Sequence, residues 1–411
     1  MTRISFKEWL KNLKLDGAIS TAISFFMPGI SSLVWVSLPF FLISIRVPLF
    51  YLGLIYSVGI LGAFLMRIPL KFYSEKGRND ILPMASMLFA GISLSLFSIS
   101  HDLSVTIVAF LILSIAGSIY RASFKNKKER DLRNTEPMRN MYSQNIVPAT
   151  GIFIVLIFSG VFPAKNIAQL YGLMSIVVIM IGFVTLALGL SRRYTPSMQM
   201  QSTKFTALVS QSLAPLKSLD RISERKLVFP FLAIQSLLYL SICIVGIFLP
   251  AMAINDGLIR SDVFFIFAAF SIIAYFLDLL AKRVPMKFVR DTFYMFRPIF
   301  LMVPFLILSF IISSLLFIIG YFAILLWVFS DSVSSDLGTS PMSEGDRIRS
   351  RILLSFISTP IGILAPVIGA ELWMASPRLL YGVAMIPAAI SLLIIMLMLE
   401  RNQKMTATHT M

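Results

Sequence analysis

Apolar stretches of about 20 residues recur along the whole of this chain. A stretch of that length with few charges suits one structure above all, a helix that crosses ~30 Å of hydrocarbon with its backbone amides bonded to one another. Twelve candidates can be read, over residues 17–45, 49–70, 82–100, 103–120, 142–162, 168–191, 227–251, 261–281, 298–316, 318–333, 352–371 and 379–399. With 57% hydrophobic and 14% charged residues, the 411-residue chain carries more apolar surface than a soluble core of its size needs. The ninth and tenth candidates share one apolar run, residues 298–330, broken by Gly320 and a few serines. An internal repeat supplies the reason to split that run.

Arg67-Ile68-Pro69-Leu70-Lys71-Phe72 and Arg283-Val284-Pro285-Met286-Lys287-Phe288 nearly match, and each ends one apolar span and precedes another. Arg139, Ser143 and Pro148 recur at the same mutual spacing as Arg351, Ser355 and Pro360. Two echoes in the same order, at nearly the same offset, point to a duplicated chain with two homologous halves. Duplicated, mostly apolar halves are a hallmark of membrane transporters.

Charge fixes the orientation. With an even number of spans and a cytoplasmic N-terminus, all 36 Lys and Arg except Arg46, Lys165, Arg260 and Arg378 fall in cytoplasmic segments. Lys and Arg are retained on that face, so the asymmetry sets topology and also tests the span count. The net charge of +16 then calls for no nucleic acid; anionic lipid at the basic cytoplasmic loops is its expected partner. The single cysteine, Cys243, lies inside a span and reads as a small buried apolar residue. His101 and His409 make no metal-ligand spacing, and no metal or other cofactor is expected. The first residues are polar and basic and the first span is too long for a signal h-region, so no cleaved leader is expected.

The expected layout has five parts. Residues 1–16 read as an amphipathic segment on the inner surface, with Arg3, Lys7, Lys11 and Lys14 among apolar residues. Residues 17–191 and 227–400 form two six-helix bundles, 192–226 a basic cytoplasmic linker and 401–411 a cytoplasmic tail.

Six plus six spans, a polar central linker and a basic loop after spans two and eight resemble the major facilitator superfamily, across nearly the whole chain. The resemblance implies an all-α membrane protein of two pseudo-symmetric six-helix bundles, working as a monomer in the plasma membrane by alternating access. The family's loop between spans two and three reads Gly, three residues, Asp, Arg or Lys, one residue, Gly, Arg. Here Lys71-Phe72-Tyr73-Ser74-Glu75-Lys76-Gly77-Arg78 stands in that place, with Glu75, Lys76, Gly77 and Arg78 keeping its acid–base–Gly–Arg character. Lys71 replaces the leading Gly, and Gly77 arrives one residue early. The second copy has Asp291 opposite Glu75 but loses the Gly and Arg. The implied gating set is Arg67, Lys71, Glu75, Lys76, Gly77 and Arg78 with Arg283, Lys287 and Asp291. An acid near a helix end can pair with a base on a neighbouring span in one conformation and release it in the other. The alternative is a set of topology-determining charges with no gating role. In span five, Pro148-Ala149-Thr150-Gly151 resembles part of the family's antiporter signature, without the Gly before Pro and the final Gly. The partial match favours export slightly, and close helix packing is the alternative reading, since Pro360-Ile361-Gly362 in span eleven is similar punctuation without the signature.

The family's cavity is lined chiefly by spans one, four, seven and ten. On those spans the polar-edged candidates for cargo contact are Ser31 and Trp35, Ser114 and Ser118, Gln235 and Tyr239, and Tyr321 and Trp327. Each has a simpler alternative: Ser can bond back to its own helix, and Trp or Tyr can anchor at an interface. No Asp, Glu, Lys, Arg or His is expected in the middle of any span. Asp278, near the end of span eight, is expected to pair with Lys282, and Asp331 lies near the end of span ten; these two are the remaining candidates for proton coupling. A buried charge is expensive, so its absence argues for a neutral or lipophilic cargo.

These readings converge on a secondary transporter of small organic solutes, with drug or metabolite efflux as one use. A facilitator of a neutral solute such as a sugar or nucleoside is the second reading. A polytopic membrane enzyme would need a carboxylate, His or Cys constellation, and no catalytic residue can be named. No glycine loop for a nucleotide is present, which disfavours an ATP-driven pump.

Overall fold

The structure, a computed structural model, describes residues 6–66, 69–70, 81–100, 102–131, 137–162, 167–190, 225–281, 283, 288–310, 313–334 and 344–409. Among these the regular elements are all helical: α1 (Phe6–Ser44), α2 (Phe50–Leu65), α3 (Ile81–Ile99), α4 (Leu103–Asp131), α5 (Pro137–Val161), α6 (Ile167–Leu190), α7 (Arg225–Val245), α8 (Leu249–Asn255), α9 (Arg260–Ala281), α10 (Phe288–Phe310), α11 (Ser314–Ser334), α12 (Glu344–Ala375) and α13 (Pro377–His409). A single turn of 3₁₀ helix, Gly246–Phe248, joins α7 to α8, and together they make one span, Val228–Asn255. Ten stretches are long and apolar enough to cross a membrane; two shorter apolar ones, Phe50–Leu65 and Ile146–Val161, fall on the second and fifth predicted spans. The chain is a multi-pass membrane protein.

Two boundaries differ from the sequence reading. The N-terminal segment is no separate helix: from Phe6 it forms the first turns of α1, which runs unbroken to Ser44. Gly17 inside it costs only about 1 kcal/mol relative to Ala, too little to break a long helix. The division between spans nine and ten falls after Phe310, not near residue 317. Ser313 sets it, for its hydroxyl accepts the Leu316 amide at 3.4 Å, the bond of a helix N-cap. Gly320 lies inside α11, where a β-carbon would stand 2.8 Å from the Leu308 side chain of α10. It serves close packing instead of a turn. The helix of span nine also begins earlier than expected, at Phe288, with Pro298 inside it. The linker, residues 192–224, lies outside the described residues.

Packing divides the chain into two units: residues 1–47, 61–208 and 267–272; and residues 48–60, 209–266 and 273–411. In the first, α1 packs on α5, and α3 packs on α4 and α6. Helices approach this closely only where side chains are small. A β-carbon on Gly29 would be 2.9 Å from the Gly151 carbonyl oxygen, and one on Gly151 would collide with that of Phe25. Elsewhere in this unit, Phe41, Phe97 and Tyr171 form a ring cluster. The Tyr171 hydroxyl shares a 2.6 Å hydrogen bond with Ser37.

In the second unit, α7 packs on α12 and α13, and α10 packs on α11 and α13. The first stretch of α2 belongs here because Gly53 and Ser57 seat it on α12. A β-carbon on Gly53 would be 2.8 Å from that of Ala370. The Ser57 hydroxyl stands 2.6 Å from the Ile363 carbonyl and 2.8 Å from that of Gly53. Residues 267–272 of α9 join the first unit, where Phe267 meets Trp35 edge-on at 5.1 Å. The helix pairs repeat at an offset of six spans: one with five and seven with eleven, three with four and nine with ten, three with six and nine with twelve. That repetition agrees with the duplication read from the sequence.

Candidate solute-binding site

The polar residues of the first unit are mostly satisfied within it. Ser118 is buried, donating to the Ser114 carbonyl at 3.1 Å and lying 3.4 Å from that of Ala63 in α2. Ser114 is half-buried one turn earlier, Ser31 is exposed, and Trp35 is half-buried against Phe267. A hydrogen bond also links Tyr120 of α4 to Ser24 of α1.

The second unit holds a denser group. Gln235 lies on α7, and Trp327 and Asp331, one turn apart on α11, share a helix face. Between them stands a residue the sequence reading left outside the membrane, Arg297 of α10. It lies about 14 Å along α10 from the helix's first residue, Phe288, at ~1.5 Å per residue. Arg297 is 4% exposed. Its Nη2 forms an ion pair with Asp331 and donates to the Gln235 side-chain oxygen at 3.1 Å. Arg297 thus lies within an apolar stretch, Thr292–Phe310, but toward one end of it and not at the mid-span positions where no charge is expected. The sequence reading began span nine at residue 298, which put Arg297 in the preceding loop, whereas α10 begins at Phe288. The available signal was Phe293-Tyr294-Met295-Phe296, which continues the apolar run in front of Arg297.

Arg297 keeps two further donors. Its Nε and Nη1 are buried with no hydrogen-bond partner among the described residues, and the same holds for Trp327 Nε1. Asp331 is 40% exposed, so the group touches a solvent-accessible surface through its carboxylate.

The other residues singled out in the sequence stand apart from this group. Tyr321 is buried and stacked on Phe317 at 5.9 Å. The Tyr239 hydroxyl lies over Gly362, where a β-carbon would be 3.2 Å away, and Ile60 flanks the same glycine. Pro360 is exposed and Pro148 half-buried, each inside its helix. Asp278 is half-buried near the end of α9, and Arg283 is exposed beyond it. Lys282, and of the gating set Arg67, Lys71, Glu75, Lys76, Gly77, Arg78 and Lys287, lie outside the described residues, as does the Asp291 side chain. No group of three or more His, Cys, Asp or Glu among the described residues could hold a metal ion.

No protein-family model and no curated protein matches the chain. Solved structures do. A variant of the nucleoside transporter NupG superposes with a TM-score of 0.73 at 12% identity, covering 93% of this chain and 99% of that one. NupG itself gives 0.66 at 14% identity, covering 94% and 98%. A bacterial homologue of the human lysosomal transporter Spinster, in an inward-facing and unoccupied conformation, gives 0.60 at 12% identity, covering 93% and 95%. With like coverage on both sides, the chain shares the fold of these transporters over nearly its whole length.

Proposed function

We propose that this protein is a secondary transporter that carries a small, uncharged organic solute across a membrane by alternating access. The observation that carries the reading is the polar group of Arg297, Asp331, Gln235 and Trp327 set inside an otherwise apolar unit of a transporter fold. Burying an ion pair costs several kcal/mol per ion before any return, and polar groups at membrane depth mark transport pathways. Arg297 and Asp331 sum to zero charge. The case for an uncharged cargo thus passes from the absence of buried charge to its neutralisation in place. Hydrogen-bonding groups in such number favour a polar solute over a purely lipophilic one, and nucleosides, named for NupG, are the first cargo to test. The basic loops would face the cytoplasm and anionic lipid, and Glu75 with Arg78 would act as a charge latch there.

The test is uptake by purified protein in sealed vesicles, against a panel of labelled nucleosides, sugars and amphiphilic dyes, with and without a pH gradient. Saturable uptake of one class without ATP is expected, and the same vesicles loaded with cargo read export. Uptake no greater than in protein-free vesicles for every class would remove the transporter reading.

A further inference from the structure

Arg297 holds two polar partners, and its commitments are incomplete. One of its three nitrogens, Nη2, serves both Asp331 and Gln235, while Nε and Nη1 meet no partner among the described residues. One helix away and one turn from Asp331, the indole N–H of Trp327 is buried in the same condition. Buried donors are normally paired, because each one left unmade carries its full desolvation cost. Donors remain unmade on Arg297, whose guanidinium Asp331 and Gln235 hold in place, and on Trp327, one turn from Asp331 on the same helix.

We propose that Arg297 and Trp327 set the specificity of the carrier, donating hydrogen bonds to a carbonyl-type acceptor on an uncharged, ring-bearing cargo. The inference rests on the transporter reading above and deepens it. Charge selects within the class. Asp331 already neutralises the guanidinium, so an anionic cargo would have to displace the carboxylate, and a cationic one would meet Arg297 at close range. A hydrocarbon would leave every donor unmade. Trp327 also offers an aromatic face beside its N–H, which suits a planar ring with a polar edge.

Two probe solutes differ in the feature at issue: inosine carries a ring carbonyl, and purine riboside has hydrogen in its place. Binding is read by thermal shift of the detergent-purified protein and uptake in reconstituted vesicles. A lost hydrogen bond to a charged donor corresponds to about a ten-fold or greater loss of affinity. The wild type should prefer inosine by at least that factor. The charge-conserving pair Arg297→Met with Asp331→Asn should lose the preference, and Trp327→Phe should narrow it. If the double variant does not give a monodisperse, cooperatively melting protein, Trp327→Phe decides alone. Equal binding of the two probes, or a preference that persists in the variants, overturns the inference and leaves the transporter reading standing. Uptake of another class in the panel with no binding of either probe does the same. Discrimination in binding with no uptake of any class in the panel upholds the donor assignment and removes the transporter reading.

Discussion

Asp256 ends α8 just beyond the span and is buried. Burial pushes its carboxyl above the ordinary 3.8, against the opposing pull of the Arg378 charge and a hydrogen bond from Asn255. A carboxyl raised by folding binds its proton more tightly folded than unfolded. Its stabilising contribution is complete below 3.8 and is lost as pH rises through the folded value; at neutral pH the charged form carries a burial cost. The Asn variant, of the same shape and uncharged, should melt higher than the wild type at neutral pH, and the difference should shrink as pH falls toward about 4. Paired melting curves of wild type and Asp256→Asn across that range check it, and a difference that stays constant with pH refutes it. Little of this was legible beforehand. Sequence places Asp256 in a short loop after a span, but not the fold that closes over it. Arg297 shows the same limit from the other side: its charge was plain in the chain, while its depth depended on where α10 begins. Single-residue environments follow from packing that periodicity does not encode.

At the scale of elements, hydrophobic length placed the spans well, because hydrocarbon thickness sets it. Helix ends were placed less well, because caps are short-range signals: Ser313 outweighed Gly320. Glycine reads as a breaker in a soluble chain and as a contact surface in a membrane helix. Gly151 gives the contrast a test. A β-carbon there would collide with the Phe25 backbone carbonyl, which cannot swing aside as a side chain can. Gly117 of α4 would meet nothing nearer than the Arg121 guanidinium at 3.9 Å, an ordinary contact. Gly151→Val should destabilise the protein by about 1–3 kcal/mol or more through overpacking. Gly117→Ala should be neutral or stabilising by up to about 1 kcal/mol, the helix preference of Ala over Gly. Thermal melts in detergent separate the two. Equal behaviour of the variants would show that α1 and α5 do not depend on their close approach.

For the whole molecule, the repeat was the most informative part of the sequence, and the helix pairs reproduce it six spans apart. What the sequence hid is how energy would enter a cycle. Asp278 and Asp331 were its two candidates for a proton, and the structure separates them. Asp331 is 40% exposed and ion-paired with Arg297, so water can reach its carboxylate and protonation would release the guanidinium. Asp278 is half-buried in a different helix, α9. A group can drive transport only if the two states of the carrier bind its proton with different affinity, and an acid paired with the proposed cargo donor would meet that condition. Asp331→Asn is therefore expected to abolish accumulation driven by an imposed pH gradient. Equilibrium exchange of labelled for unlabelled cargo across the vesicle membrane, which needs no gradient, should continue. Asp278→Asn should keep both activities. Gradient-driven uptake and exchange are measured in the same vesicle preparation, so a loss of protein lowers the two together and is told apart from a loss of coupling. Accumulation that persists at the wild-type level in Asp331→Asn would move the coupling site elsewhere and leave Arg297 and Asp331 a pair that holds cargo without driving it.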